Sequence, residues 1–242
     1  VSDDAYAAVA SVYELMATEY VADQERALAD FLAMLRSADG PVLDIGCGSG
    51  RAAQFLLSRA ARLTVVGIEP SPAMRALALA RLTAQPAWRE RVTIRPEGAL
   101  EAPWPDSLSG ALMFGVLGHF SAHERRELFG CLASRLGKGA PVLLDIQAPD
   151  RPEVVAEHVF ADARLGQLRY QGRAKGEPLD DQLMRWTMTY LTIDDGKVID
   201  ACSTVMTVHH PGLAVVREEL ESSGLCLKGT NVSGVWLASR SG

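Results

Sequence analysis

A doubly wound α/β fold on a seven-stranded, mostly parallel sheet is what this sequence predicts, and three observations predict it. Strand-like and helix-like segments alternate from Val42 to Ile146, the pattern of parallel strands joined by crossover helices. The apolar run Val42-Leu43-Asp44-Ile45 leads straight into Gly46-Cys47-Gly48-Ser49-Gly50, a strand opening into a glycine turn at the head of a helix. A second acid, Glu69, ends the next apolar run, Leu63 to Ile68. A glycine turn with a carboxylate one strand later is an arrangement suited to a nucleoside with a ribose diol.

In chain order, helical periodicity covers about Asp4 to Leu35, as two helices broken near Glu19 to Asp23. Gly40-Pro41 punctuates the approach to the first strand. Strands are expected over 42–46, 63–68, 91–95, 110–116 and 140–146, with helices over 51–60, 71–85 and 122–136. After Pro149 the pattern changes. Three strand-like runs, Leu165 to Arg173, Leu183 to Ile193 and Lys197 to His209, are separated by turn signals, and Asp194-Asp195-Gly196 suits a hairpin. Met184, Trp186, Met188 and Tyr190 share one face of the middle run, Arg185, Thr187, Thr189 and Leu191 the other. A helix over Leu213 to Ser222 and strands over Leu225 to Gly229 and Val235 to Ser239 close the sheet. The chain thus divides into an N-terminal helical region (1–38), an α/β core (39–149), a β-rich insert (150–210) and a closing region (211–242).

Glycines at 46, 48 and 50 let a ligand lie against bare backbone, and the helix that follows offers unpaired N–H groups to an anionic part of it. Three ligands compete. A dinucleotide fingerprint needs glycine at 51, where Arg51 stands, and a phosphate loop needs Gly-Lys-Ser/Thr, which is missing. What remains, Asp-x-Gly-x-Gly-x-Gly from Asp44 to Gly50, resembles motif I of the class I S-adenosylmethionine (SAM) dependent methyltransferases. SAM carries no phosphate, and its carboxylate suits a helix N-terminus.

The resemblance extends along the chain. Glu69-Pro70-Ser71-Pro72-Ala73-Met74 is similar to the family's second acidic motif, which implies ribose held by Glu69 and adenine flanked by Met74. Val92 to Glu101 is similar to its third strand and adenine turn, and Pro103-Trp104-Pro105-Asp106 to its run ahead of strand four. Gly98 stands where the family often has an Asp bonding the adenine amino group, and Gly110 where an Asp commonly opens strand four. Upstream, Tyr13 to Tyr20 resembles the Tyr-Asp-x-x-Ala-x-x-Tyr lid of many small-molecule members, sugar N-methyltransferases among them. The resemblance implies a Rossmann-like methyltransferase fold with an N-terminal helical lid. It implies a cofactor site of Tyr13, Tyr20, Asp44, Gly46, Cys47, Gly48, Gly50, Glu69, Pro70, Met74, Gly98, Ala99, Leu100 and Phe114.

Methyl transfer from a sulfonium needs alignment above all, and positioning alone lowers such a barrier by about 7–11 kcal/mol. A base is needed only where the acceptor must lose a proton. His119, just past the fourth strand, is the candidate base, weighed evenly against a packing role. Asp145 and Gln147 end the fifth strand and are placed to orient an acceptor; Tyr13, Arg185, Trp186 and Tyr190 are further candidate contacts, with sheet packing as the competing role for those on the insert. His209-His210 reads as a turn in solvent, with the pocket rim as the alternative. Acidic metal ligands after strand four are missing, so no metal is expected.

The bulk properties narrow the partner. At 242 residues and net charge −6 the chain lacks the basic face of a nucleic-acid enzyme, and no apolar run approaches a membrane span. Four cysteines without metal-ligand spacing read as small buried residues of a reducing, cytoplasmic compartment. The resemblance implies methyl transfer to an oxygen or nitrogen of a small organic molecule of natural-product biosynthesis, so the expected partner is a small-molecule methyl acceptor, with a homodimer as a further possibility. Two rivals stay open: a protein of this fold that binds SAM without transferring methyl, and an NAD-dependent reductase.

Overall fold

The computed structural model describes residues 4–35 and 40–240 of the chain. The seven-stranded sheet is there, in the order β10-β11-β5-β4-β1-β2-β3. Its parallel part is β1 (Val42–Ile45), β2 (Val65–Ile68), β3 (Val92–Arg95), β4 (Gly110–Met113) and β5 (Pro141–Asp145), and its antiparallel edge is β10 (Leu225–Gly229) and β11 (Val235–Arg240). All four residues of β1 and of β4 are buried, as a strand covered on both faces requires. Side chains alternate between two cores. Leu43 and Ile45 face α5 (Ala122–Arg135) and α6 (Leu213–Ser222) through Leu128, Phe129, Val216 and Leu220. Val42 and Leu112 face α2 (Thr18–Met34), α3 (Arg51–Arg59) and α4 (Pro72–Thr83) through Phe31, Phe55, Ala78 and Leu82.

Local chemistry fixes where the helices start. Ser71 accepts from the Met74 N–H and Pro72 pre-sets the first turn of α4. Ser121 and Glu124 form a reciprocal capping box on α5. Between α5 and α6 the buried Arg125 makes two 2.8 Å hydrogen bonds to Glu219.

The insert is a separate antiparallel sheet, β6 (Val155–Leu165), β7 (Leu168–Pro178), β8 (Leu183–Asp194) and β9 (Lys197–His209), in sequential order. It has four strands where three were expected. In β6 register shifts between Val155 and His158 and between Val159 and Ala161 break the period of two, so the alternation that marks a strand is lost. The inner face of this sheet carries Tyr170, Met188, Tyr190 and Cys202, and packs on Tyr6, Val9, Val12 and Tyr13 of the N-terminal segment. Thr204 Oγ1 donates to the Ala5 carbonyl and Cys202 Sγ to that of Ala8.

Two further expectations are corrected. The helix break lies at Ala17, between the short α1 (Tyr13–Met16) and α2, and residues 5–12 are turns, not α-helix. Cys47 is buried, but Cys226 is exposed, because it points outward on the edge strand β10. The boundary drawn at 38 and 39 lies outside the described residues. Among the described residues no helix is long and apolar enough to cross a membrane.

Candidate functional site

The sheet reverses winding direction between β1 and β4, and in such sheets ligands sit beyond the strand ends at that point. There Gly46, Gly48 and Gly50 have φ of 66°, 54° and 73°, a region other residues enter only with strain. A side chain at 46 would collide with Val116 in the loop after β4, so the two loops touch. Glu69 binds this turn to the head of α4: Gly48 N–H donates to its Oε2 at 2.9 Å and Ser71 N–H to its Oε1 at 2.8 Å.

Asp44 lies beneath the turn, 3 % exposed, and its Oδ2 has no hydrogen-bond partner. Burial, and then the charge of Glu69, push its pKa up to about 7. Burial also raises Glu69, against the lowering effect of its two N–H donors. Two crowded carboxylates form an acceptor-rich, negative site. It suits a ligand that brings hydroxyls, an ammonium and a sulfonium, as SAM does, and it repels a pyrophosphate.

From above, the Tyr13 hydroxyl stands 3.9 Å and Met74 Cε 3.7 Å from where a Cβ on Gly48 would be. Lid and α4 thus enclose the turn. Glu14, next to Tyr13, forms salt bridges with both Arg51 and Arg81, and Arg81 also donates to the Ser49 carbonyl at 2.6 Å. Tyr20 is not drawn in: it is 53 % exposed on α2.

At the far end of the cradle the expected residues hold varied positions. Ala99 is buried, and its carbonyl accepts the Trp104 indole N–H at 2.7 Å; Leu100 packs beside it on the core. Pro70 is exposed, Cys47 packs its sulfur against Gly67, and Phe114 packs into the core face shared with α3 and α4. Gly98 is informative. A Cβ there would collide with Glu101 Oε2, so the place an Asp at 98 would fill already holds a carboxylate.

At the loop after β4, His119 Nε2 and the Tyr6 hydroxyl are hydrogen-bonded at 3.0 Å. Burial lowers the His119 pKa and raises that of Tyr6. Asp145 Oδ1 accepts from Gly115 N–H at 2.6 Å, and Gln147 reaches the same glycine. Burial raises Asp145 to about 6. With Leu117, Gly118, His209 and His210, these two side chains line a cavity with room for about one water molecule.

His210 is buried, not in a solvent turn. Trp186 Nε1–H donates to its Nε2 at 2.8 Å, and its Nδ1–H donates to the Pro149 carbonyl at 3.2 Å. Trp186 also walls a separate, open groove of about 760 Å³ beside Pro149, Asp150 and Glu153. Arg185 points to the opposite, solvent face of β8, away from both spaces, and Tyr190 is core packing under the lid. Among the described residues no group of three His, Cys, Asp or Glu side chains is placed to hold a metal.

Sequence reading missed Tyr6, Glu14 and Glu101. Tyr6 meets His119 across 113 positions, a pairing no periodicity announces. Glu101 was visible only as the missing Asp at 98.

Residues 42–139 match the family model described as a methyltransferase domain. No curated protein matches the sequence. Among solved structures, an amino pentose methyltransferase from Micromonospora echinaspora, CalS10, superposes with a TM-score of 0.76 at 17% identity, over 96% of this chain and 97% of that one. DesVI of Streptomyces venezuelae gives 0.73 at 17% identity, over 95% of each chain. The sugar N-methyltransferase KedS8 from a Streptoalloteichus species gives 0.64 at 18% identity, over 90% of this chain and 85% of that one. At these identities the likeness establishes the shared fold, insert included.

Proposed function

We propose that the chain, whose residues 42–139 match a methyltransferase domain, is a SAM-dependent enzyme that methylates a nitrogen of a small polar molecule of the amino-sugar class, in natural-product biosynthesis. The observation that carries this reading is the Tyr6–His119 pair. It joins the N-terminal segment to the loop after β4, which itself touches the glycine turn. The phenol oxygen, hydrogen-bonded to the imidazole, can accept an N–H of an amino group and leave the nitrogen lone pair free to attack.

The cofactor, when bound, supplies a methyl group already activated by its sulfonium, so the protein's work is alignment. Asp44, Glu69 and the three glycines would hold it, with Tyr13 and Met74 closing over the turn. Tyr13, Tyr6 and the inner face of the insert sheet shield the site from water. His119 takes up the one proton that an amine sheds on alkylation and passes it to solvent on its exposed side. The printed activities of CalS10 and KedS8, on an amino pentose and on sugar nitrogen, support the acceptor class.

The test is incubation of the full chain with methyl-labelled SAM and matched pairs of sugars, such as glucosamine against glucose and 3-amino-3-deoxyglucose against its parent, with a phenol as outgroup. Label on the amines is the expected result. Label confined to hydroxyl compounds overturns the nitrogen assignment. Tight SAM binding with no labelled product from the identified biosynthetic substrate overturns methyl transfer altogether.

A further inference from the structure

We propose that Asp145 is the carboxylate that receives the acceptor's amino group on entry as its ammonium ion, at the water-sized cavity beneath the insert, before the group sheds one proton to solvent and turns to the Tyr6–His119 pair for methylation. The proposal rests on the amine reading above and deepens it. Asp145 closes β5, the strand next to β4 on the side away from β1. Through Gly115 it is one residue from Val116, whose side chain abuts Gly46 of the cofactor turn. A group in this cavity therefore lies one loop residue away from the side chain that abuts the glycine turn.

The charge balance of the cavity points to a cation. Neither of its histidines supplies one. His210 is fixed as the neutral Nδ1–H tautomer, because its Nε2 accepts from Trp186 while its Nδ1–H donates to Pro149. Burial and the nearby Arg125 guanidinium hold His209 below the usual histidine range, outweighing the pull of Glu124 and Asp180. Gln147 is neutral, and what steadies the Asp145 carboxylate is backbone N–H alone, from Gly115 and from its own residue. A buried carboxylate without a counter-ion is costly, and its pKa near 6 expresses that cost.

The space also selects the occupant. It admits one group of about the size of water. An ammonium brings donors and no acceptor, whereas a hydroxyl brings a single donor and no charge. The ammonium therefore suits a carboxylate pocket better. A purely structural role, with Asp145 holding the positive-φ turn at Gly115, is the competing account.

The Gly115 amide is a built-in reporter that separates the two. In the S-adenosylhomocysteine-bound protein its ¹⁵N–¹H signal is followed from pH 4 to 8, alone and with cyclohexylammonium or cyclohexanol. Binding a cation favours the ionised acid, so the midpoint shifts to lower pH with the amine and stays put with the alcohol. Asp145→Asn keeps an oxygen acceptor for Gly115 but carries no charge. It retains S-adenosylhomocysteine affinity with a thermal midpoint no lower than that of the parent, loses the titration, and raises KM for the amine acceptor more than tenfold. Equal response to amine and alcohol overturns the proposal, even where the variant fails to fold. An Asn variant that methylates amines with unchanged KM overturns it too and leaves the amine reading standing. An amine-selective shift with label found only on hydroxyl compounds overturns the amine reading instead.

Discussion

Asp44 shows at the scale of one residue how the candidate site is held against the fold's own interest. It is buried with an unpartnered oxygen and a like charge nearby, an arrangement that costs about 1–3 kcal/mol for the missing bond alone. Its pKa is raised on folding from 3.8 to about 7. The stability linked to this carboxyl is therefore complete below about pH 4 and lost as pH rises through about 7. Asp44→Asn should raise the ligand-free thermal midpoint at pH 8, by about 2–4 °C per kcal/mol recovered, and weaken S-adenosylhomocysteine binding in calorimetry. Glu101 makes a second case. Its carboxylate occupies the place of a side chain at Gly98, and we expect it to accept the adenine amino hydrogen that an Asp there would take. Glu101→Ala should weaken S-adenosylhomocysteine about tenfold, the scale of one hydrogen bond to a charged group, and leave affinity for the inosine analogue unchanged. Gly98→Asp added to it should restore the preference; equal losses for both ligands would refute the assignment. The glycine turn and Glu69 were readable in the sequence because the turn's backbone demand falls on three alternating glycines and the acid ends an apolar strand. Glu101 was not, because its carboxylate reaches that place only by folding back over three positions.

Elements were legible where their period was clean. The strand-helix alternation from β1 to β5 appears as read, within a few residues at each end, since two-sided burial leaves plain apolar runs. β6 was missed because its bulges scramble the period. The helix break moved to Ala17, where the chain needs α1 to lie against the insert sheet, a demand made by tertiary packing and not by local propensity. How α5 meets α6 was also illegible, since Arg125 and Glu219 are 94 positions apart. This pair is buried and bidentate, so breaking it strands a charge. Glu219→Gln should cost about 3–5 kcal/mol in denaturant unfolding. Replacing both residues by apolar ones of similar volume, Arg125→Met with Glu219→Leu, should recover most of that loss. A double variant no more stable than the single one would show that the pair matters for packing rather than charge.

At the scale of the whole molecule, core and insert are joined through the N-terminal segment, which is a component of both. Its residues Ala5 and Ala8 bond to β9, Tyr6 bonds to the loop after β4, and Asp4 bonds to the head of α4. There Asp4 Oδ2 accepts from Ser71 Oγ at 2.8 Å and from Ala73 N–H at 3.3 Å, beside the Glu69 that ties down the glycine turn. This carboxylate at a helix N-terminus is the segment's anchor on the cofactor side. Lid closure and cofactor retention should therefore depend on a residue whose hold on the core is confined to the head of α4. Asp4→Ala leaves Ser71 free to cap α4 alone, so the core's thermal midpoint should move by no more than about 2–4 °C, the equivalent of roughly 1 kcal/mol. Release of S-adenosylhomocysteine in stopped-flow displacement should nonetheless speed up several-fold, with faster proteolytic nicking between residues 5 and 12. If release keeps its rate while nicking accelerates, the segment closes the site through Tyr6 and Tyr13 without needing its anchor, and the coupling of insert to core runs through the loop after β4 instead.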